Sequence, residues 1–155
     1  MKKIAIVLLL FLPAVLIAAE PEEKICSPFH QKLEKIEHLE LTVSPAKFEF
    51  DGKAYEGCEI VFKSKWSLMK EGSSPMNETY PEEGGALYNA GWRVDENFSA
   101  DGPSSSYYIL RNGWKVCIVE WSYEAYFDEK TGDYVTGDDI VCNVKCGTER
   151  DLRGK

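Results

Sequence analysis

Apolar and polar residues alternate with a period of two through most of the chain. Cys58, Ile60 and Phe62 fall on one side of a segment whose other side holds Glu59, Val61 and Lys63, which predicts a half-buried strand running toward Trp66. The longest stretch of this kind runs from Trp92 to Cys146. It predicts four antiparallel strands in a meander: Trp92–Phe98, Ser105–Leu110, Trp114–Phe127 and Asp138–Cys146. Asn112-Gly113 separates two apolar runs, and both residues tolerate the positive φ of a two-residue type I′ turn. That turn would pair Arg111 with Trp114, Ile109 with Val116 and Tyr108 with Cys117. Tyr108, Leu110, Cys117, Val119, Trp121 and Tyr123 would then share one face, and Tyr107, Ile109, Trp114, Val116 and Ile118 the other. Both faces are apolar near the turn, so both need cover, the second from the first helix or the N-terminal hairpin. Toward Glu120, Ser122 and Glu124 the second face turns polar and is expected to be wet.

Helical spacing shows in only two places. Ser27-Pro28 opens a predicted helix, with Ser as N-cap and Pro at the first helical position. Phe29, Leu33, Ile36 and Leu39/Leu41 extend it as one apolar stripe, and His30 and His38 flank that stripe as surface or rim residues. A second, short helix is expected from Pro81-Glu82-Glu83, with Leu87 and Ala90 facing inward and Gly91 as its stop. Between the two helices, Asp51-Gly52 predicts a hairpin joining Lys47–Phe50 to Lys53–Tyr55. Lys70–Asn77 reads as a polar loop, and 70–80 as a mobile crossover. Glu129-Lys130-Thr131-Gly132 resembles a type I turn closed by a left-handed glycine, within a long hairpin tip over 128–139. Gly147–Lys155 is expected to be a flexible tail.

The first residues break from both patterns. Lys2 and Lys3 precede an apolar run from Ile4 to Ile17, and small residues follow before Glu20. That layout predicts a secretory signal peptide over 1–19, cleaved after Ala19, leaving residues 20–146 as one small domain with no membrane attachment. The net charge of −8 argues against electrostatic binding of nucleic acid or of an anionic membrane.

An exported chain meets an oxidising space, where Cys26, Cys58, Cys117, Cys142 and Cys146 are disulfide candidates. The number is odd, so two bridges leave one thiol. Cys142 and Cys146 lie four residues apart on a predicted strand, about 13 Å between α-carbons. A disulfide needs at most about 7 Å, so these two should not pair. One of them is expected to bridge to Cys117 on the preceding strand, with Cys26 and Cys58 competing for the other or pairing together.

Candidate chemistry is sparse. Glu120 and Glu124 fall on one strand face beside Trp121 and Tyr123, the residue types that cleave a glycosidic bond. Their α-carbons would be about 13 Å apart, beyond the usual carboxyl spacing unless the side chains lean together. Asp128, Asp133, Asp138 and Asp139 crowd one loop as weak calcium ligands, without EF-hand spacing. Cys26 and His30 have i,i+4 spacing but no second pair for zinc. Ser104-Ser105-Ser106 has no histidine near it in sequence for nucleophilic catalysis. Asn77-Glu78-Thr79 and Asn97-Phe98-Ser99 match the glycosylation acceptor pattern. Most of the eight tyrosines and four tryptophans are expected to fill the core, with an exposed stacking surface for a sugar or a protein partner as the alternative.

The expectation is a disulfide-stabilised α+β protein: an antiparallel meander of about four strands from Trp92 to Cys146, with an N-terminal helix and β-hairpin. Its expected place is periplasmic or secreted. Its expected work is non-enzymatic binding in the cell envelope, of a protein or a glycan, with no cofactor. A polysaccharide hydrolase using Glu120 and Glu124 is one alternative, and an inhibitor or structural protein that plugs a partner through a loop is another.

Overall fold

A computed structural model describes residues 22–69, 75–102 and 104–150. The signal peptide expected over 1–19 lies outside these residues. Six antiparallel strands form one sheet: β1 (Glu40–Phe50), β2 (Lys53–Lys65), β3 (Arg93–Asp101), β4 (Ser105–Asn112), β5 (Lys115–Asp128) and β6 (Asp133–Glu149). Their order across the sheet is β1-β2-β6-β5-β4-β3. The four-strand meander is therefore present as β3 to β6, but the N-terminal hairpin is not a separate piece. Its strand β2 pairs with β6 from Tyr55↔Glu149 to Lys65↔Asp139, so the sheet has six strands rather than four. β6 is also longer at both ends than expected. Gly147 to Glu149 belong to the strand rather than to a tail, because they pair with Tyr55 to Gly57 of β2.

Among the described residues three short helices lie on one face: α1 (Ser27–Leu33), α2 (Pro75–Thr79) and α3 (Ala86–Asn89). The first is shorter than its apolar stripe. The chain turns after Leu33, His38 takes a positive φ of 64°, and Leu41 contributes from β1 instead. Cys26, not Ser27, is the N-cap, and Ser27 Oγ accepts a bond from Gln31. α2 forms within the segment expected to be a loop and crossover, where Thr79 packs fully buried and bonds to Tyr108 Oη at 2.8 Å. α3 starts later than expected, at Ala86. It buries Leu87, leaves Ala90 exposed, and is followed by Gly91 at φ +93°.

The face under the helices holds the main core. Cys58, Ile60 and Phe62 of β2 pack there with Cys117, Val119 and Trp121 of β5 and Ile140, Cys142, Val144 and Cys146 of β6. Phe29 of α1 meets Trp92 edge-on, with centroids 5.7 Å apart. Burying a side chain the size of Phe62 or Trp121 contributes roughly 1.5–3 kcal/mol. Period two assigned these faces correctly, but the turn between β4 and β5 sits one residue later than expected. Asn112 pairs with Lys115, Gly113 (φ +61°) and Trp114 make the loop, and Leu110 rather than Tyr108 opposes Cys117. A glycine with positive φ followed by a residue without one is the pattern of a type II′ turn. The shift moves each partner by two positions, so every side chain keeps its face. Trp114 leaves the sheet and is exposed.

Among the described residues the opposite face is covered only near this turn, by the N-terminal hairpin. Asp51 (φ 51°) and Gly52 (φ 69°) form the expected turn between Phe50 and Lys53. Phe48 and Tyr55 stack at 5.3 Å and join Ile109 and Val116 in a second cluster. Gly147 makes room for them, since a Cβ there would lie 2.8 Å from both Phe48 Cε1 and Tyr55 Cβ. The sheet coils enough that its two edges meet at this end. Phe50 of β1 packs against Phe98 of β3, and Arg111 lies over both rings while bonding Asp95.

Two disulfides tie these parts together. Cys26–Cys58 fastens the helical side to β2, and Cys117–Cys146 links directly paired positions of β5 and β6, with α-carbons 4.0 Å apart. Cys142 is the free cysteine, buried between its cross-strand partners Phe62 and Trp121. The bar on Cys142–Cys146 pairing holds. Two disulfides fit an oxidising, non-cytoplasmic compartment. Among the described residues no helix is long and apolar enough to cross a membrane.

Candidate functional site: an aromatic β-finger

β5 and β6 outrun their neighbours. β4 stops pairing with β5 at Ser105↔Ser122, and β2 stops pairing with β6 at Lys65↔Asp139. Beyond these points, among the described residues, the two strands pair only with each other, from Ala125↔Thr136 through Tyr126↔Val135 and Phe127↔Tyr134 to Asp128↔Asp133. Five steps of about 3.3 Å carry Asp128 roughly 16 Å past Tyr123. The long hairpin tip expected over 128–139 is paired ribbon from Asp133 to Thr136. Its turn is the expected one, with Gly132 at φ +75°, Gly132 N–H donating to the Asp128 carbonyl at 2.8 Å, and Lys130 N–H donating to Asp128 Oδ1 at 2.9 Å.

The base of this finger is braced. β6 carries an irregularity opposite Glu124, where Gly137 comes so close that a Cβ would lie 2.7 Å from Glu124 Cβ. The chain after β2 makes a 3-10 turn, Trp66–Leu68, against the same place. Trp66 meets Tyr123 edge-on at 6.3 Å, and Ser67 donates to Asp138 from its N–H (2.7 Å) and its hydroxyl (2.6 Å). Those two bonds hold the Asp138 carboxyl below its ordinary value. Lys65 pairs with Asp139 at 3.0 Å, which raises the lysine.

The finger's own surface is aromatic. Tyr126, Phe127 and Tyr134 are 59%, 53% and 64% exposed, far above what a folded core residue keeps. Phe127 and Tyr134 meet edge-on at 5.4 Å on one side of the ribbon. By alternation Tyr126 is on the other side, with Val135, Glu124, Asp128 and Asp133. The sequence pattern puts Tyr126 and Phe127 at the end of a predicted strand and Tyr134 in the hairpin tip. The signal available was a strand pattern, Tyr123 to Asp128, continuing past the last strand able to pair with it.

The predicted site residues are dispersed. Glu120 is exposed on the open face between Asn143 of β6 and Tyr107 of β4, and Glu124 is exposed at the irregularity. Alternation puts both on one side, four residues apart along β5. Partial burial and then Glu120 raise the Tyr107 phenol. Asp128 and Asp133 face each other at the fingertip, while Asp138 and Asp139 are engaged at its base by Ser67 and Lys65. Among the described residues no three His, Cys, Asp or Glu side chains converge as a metal site. His30 sits 3.6 Å from Glu34 on the surface, and His38 is exposed on the chain entering β1. Of the two glycosylation matches, Asn97 is exposed but bonded to Asp95, and Thr79 of the other is buried.

Comparison with protein families, with curated proteins and with solved structures finds no match to this chain.

Proposed function

We propose that this is an exported binding module of the cell envelope, periplasmic or secreted, which docks a partner through the β5–β6 finger. The observation that carries the reading is the projecting ribbon, with three large exposed aromatic rings on a braced, disulfide-bonded sheet. Exposed Tyr and Phe side chains on a rigid element supply contact area at low entropic cost, and such residues dominate interface energetics. Phe127 and Tyr134 support each other across the ribbon, yet more than half of each residue's surface stays in water. The finger also fits the inhibitor form of this role, in which a loop plugs a partner's cleft.

The test is site-specific photocrosslinking in intact cells expressing the full-length chain, from positions 126 and 134 on the finger and from position 120 on the open face. The expected result is a discrete adduct from 126 and 134 and none from 120. An adduct from 120 alone, or from no position, would overturn the reading.

A further inference from the structure

The finger's charge pattern narrows the partner, if the binding role above is accepted. Its last two cross-strand pairs are an aromatic one, which a ribbon favours, and an acidic one, which it does not. Phe127↔Tyr134 exposes two rings, and Asp128↔Asp133 sets two carboxylates directly opposite each other. Like charges at directly opposed positions destabilise a sheet. Asp128 Oδ1 accepts the backbone N–H of Lys130 at 2.9 Å, a contact made by the lysine's main chain. The Tyr126 ring lies on the face of this pair, and Glu124 follows on the same side two residues back. A half-exposed ring is therefore bordered by three carboxylates, with a second aromatic pair on the reverse side.

We infer that the finger's partner is a cationic protein segment presenting arginine. A guanidinium can lie flat on Tyr126 while its N–H groups reach Asp128 or Asp133, which combines cation–π contact with charge-assisted hydrogen bonds. It also relieves the repulsion between the two aspartates. A neutral glycan would use the rings but not the carboxylates. The protein as a whole is acidic, with net charge −8, and its field would attract a basic partner and speed encounter at low salt.

The experiment is an NMR titration of the full oxidised protein with three probes: a capped peptide alternating arginine and glycine, its citrulline analogue, and an N-acetylglucosamine hexasaccharide. The expected result is shifts confined to residues 124–134 with the arginine peptide. Affinity should fall about tenfold for the citrulline analogue and again when salt rises enough to shorten the screening length to a few ångströms. Asp128→Asn with Asp133→Asn, and separately Tyr126→Ser, should each abolish the shifts while the core resonances stay in place. Equal response to arginine and citrulline, or a hexasaccharide response at the same residues, overturns the cationic partner but leaves docking by the finger standing. No response to any probe, with crosslinks still forming from position 126, also overturns it and spares that reading. Loss of the crosslinks as well removes both.

Discussion

Phe50, on one edge strand of the sheet, rests its ring 5.0 Å from that of Phe98 on the opposite edge strand, at an interplanar angle of 71°. No hydrogen-bonded ladder joins these strands in the sheet order, so side chains close this end of the molecule. Edge-to-face pairs contribute about 0.5–1.5 kcal/mol beyond their burial. A double-mutant cycle of Phe50→Ala and Phe98→Ala, read by urea unfolding, should return a coupling of that size. A coupling near zero would mean the edges do not meet in solution.

Arg111 fastens the same junction and sets a pH dependence. Its hydrogen bond to Asp95 is the largest influence holding that carboxyl below its ordinary value of 3.8. A carboxyl depressed in the folded state contributes stability that is fully present above the unfolded value and is lost as pH falls through the folded one. Wild-type protein should therefore lose stability on acidification below about pH 4 more steeply than Arg111→Met, whose acid limb should be flatter. Parallel limbs for the two proteins would count against the pair.

Gly57 and Gly147 oppose each other on β2 and β6, and each is closed to a side chain for a different reason. At Gly57 a Cβ would lie 2.1 Å from the Cys146 carbonyl oxygen, which is backbone in the middle of the sheet. At Gly147 it would lie 2.8 Å from both Phe48 Cε1 and Tyr55 Cβ; the ring can rotate, and the Cβ must move with its strand by a few tenths of an ångström. Overpacking of this kind costs about 1–3 kcal/mol. Gly147→Ala should fall within that range and Gly57→Ala should exceed it, as measured by denaturant midpoints. The reverse order would show that β2 and β6 are not paired as described.

The bridge pattern predicts a thiol count. Unreduced native protein should react slowly with a thiol reagent, because burial pushes the Cys142 thiol up and hides it. Unfolded, unreduced protein should show one thiol, and reduced protein five. Replacing both Cys117 and Cys146 by Ala opens a loop set by a separation of 29 residues and should cost about 3–4 kcal/mol on the chain-entropy model. Three or five thiols in the unreduced state would contradict the pairing.

Much of the fold was legible because side-chain direction in a strand has period two. Cys58, Ile60 and Phe62, or Cys117, Val119 and Trp121, can reach one face only together, whatever their partners. The turn at Asn112-Gly113 was misplaced by one residue without disturbing any face, because each cross-strand partner moved by two. The Asp51-Gly52 turn was legible for a local reason as well: few other residues accept positive φ twice in succession. The finger was less so, since its aromatic residues look in sequence like the core aromatics just before them.

By itself, the chain's residue order determined the strands of the meander, their inward faces, the hairpin at Asp51-Gly52 and the ban on a Cys142–Cys146 bridge. All of these depend on neighbours within a few residues. Tertiary structure decided that β6 lies between β2 and β5, that Cys117 takes Cys146 and Cys26 takes Cys58, and that the two edges meet at Phe50 and Phe98. It also decided that Tyr126, Phe127 and Tyr134 are left in water. Those outcomes depend on which strand ends first alongside another, a comparison between segments distant in sequence that no local pattern encodes.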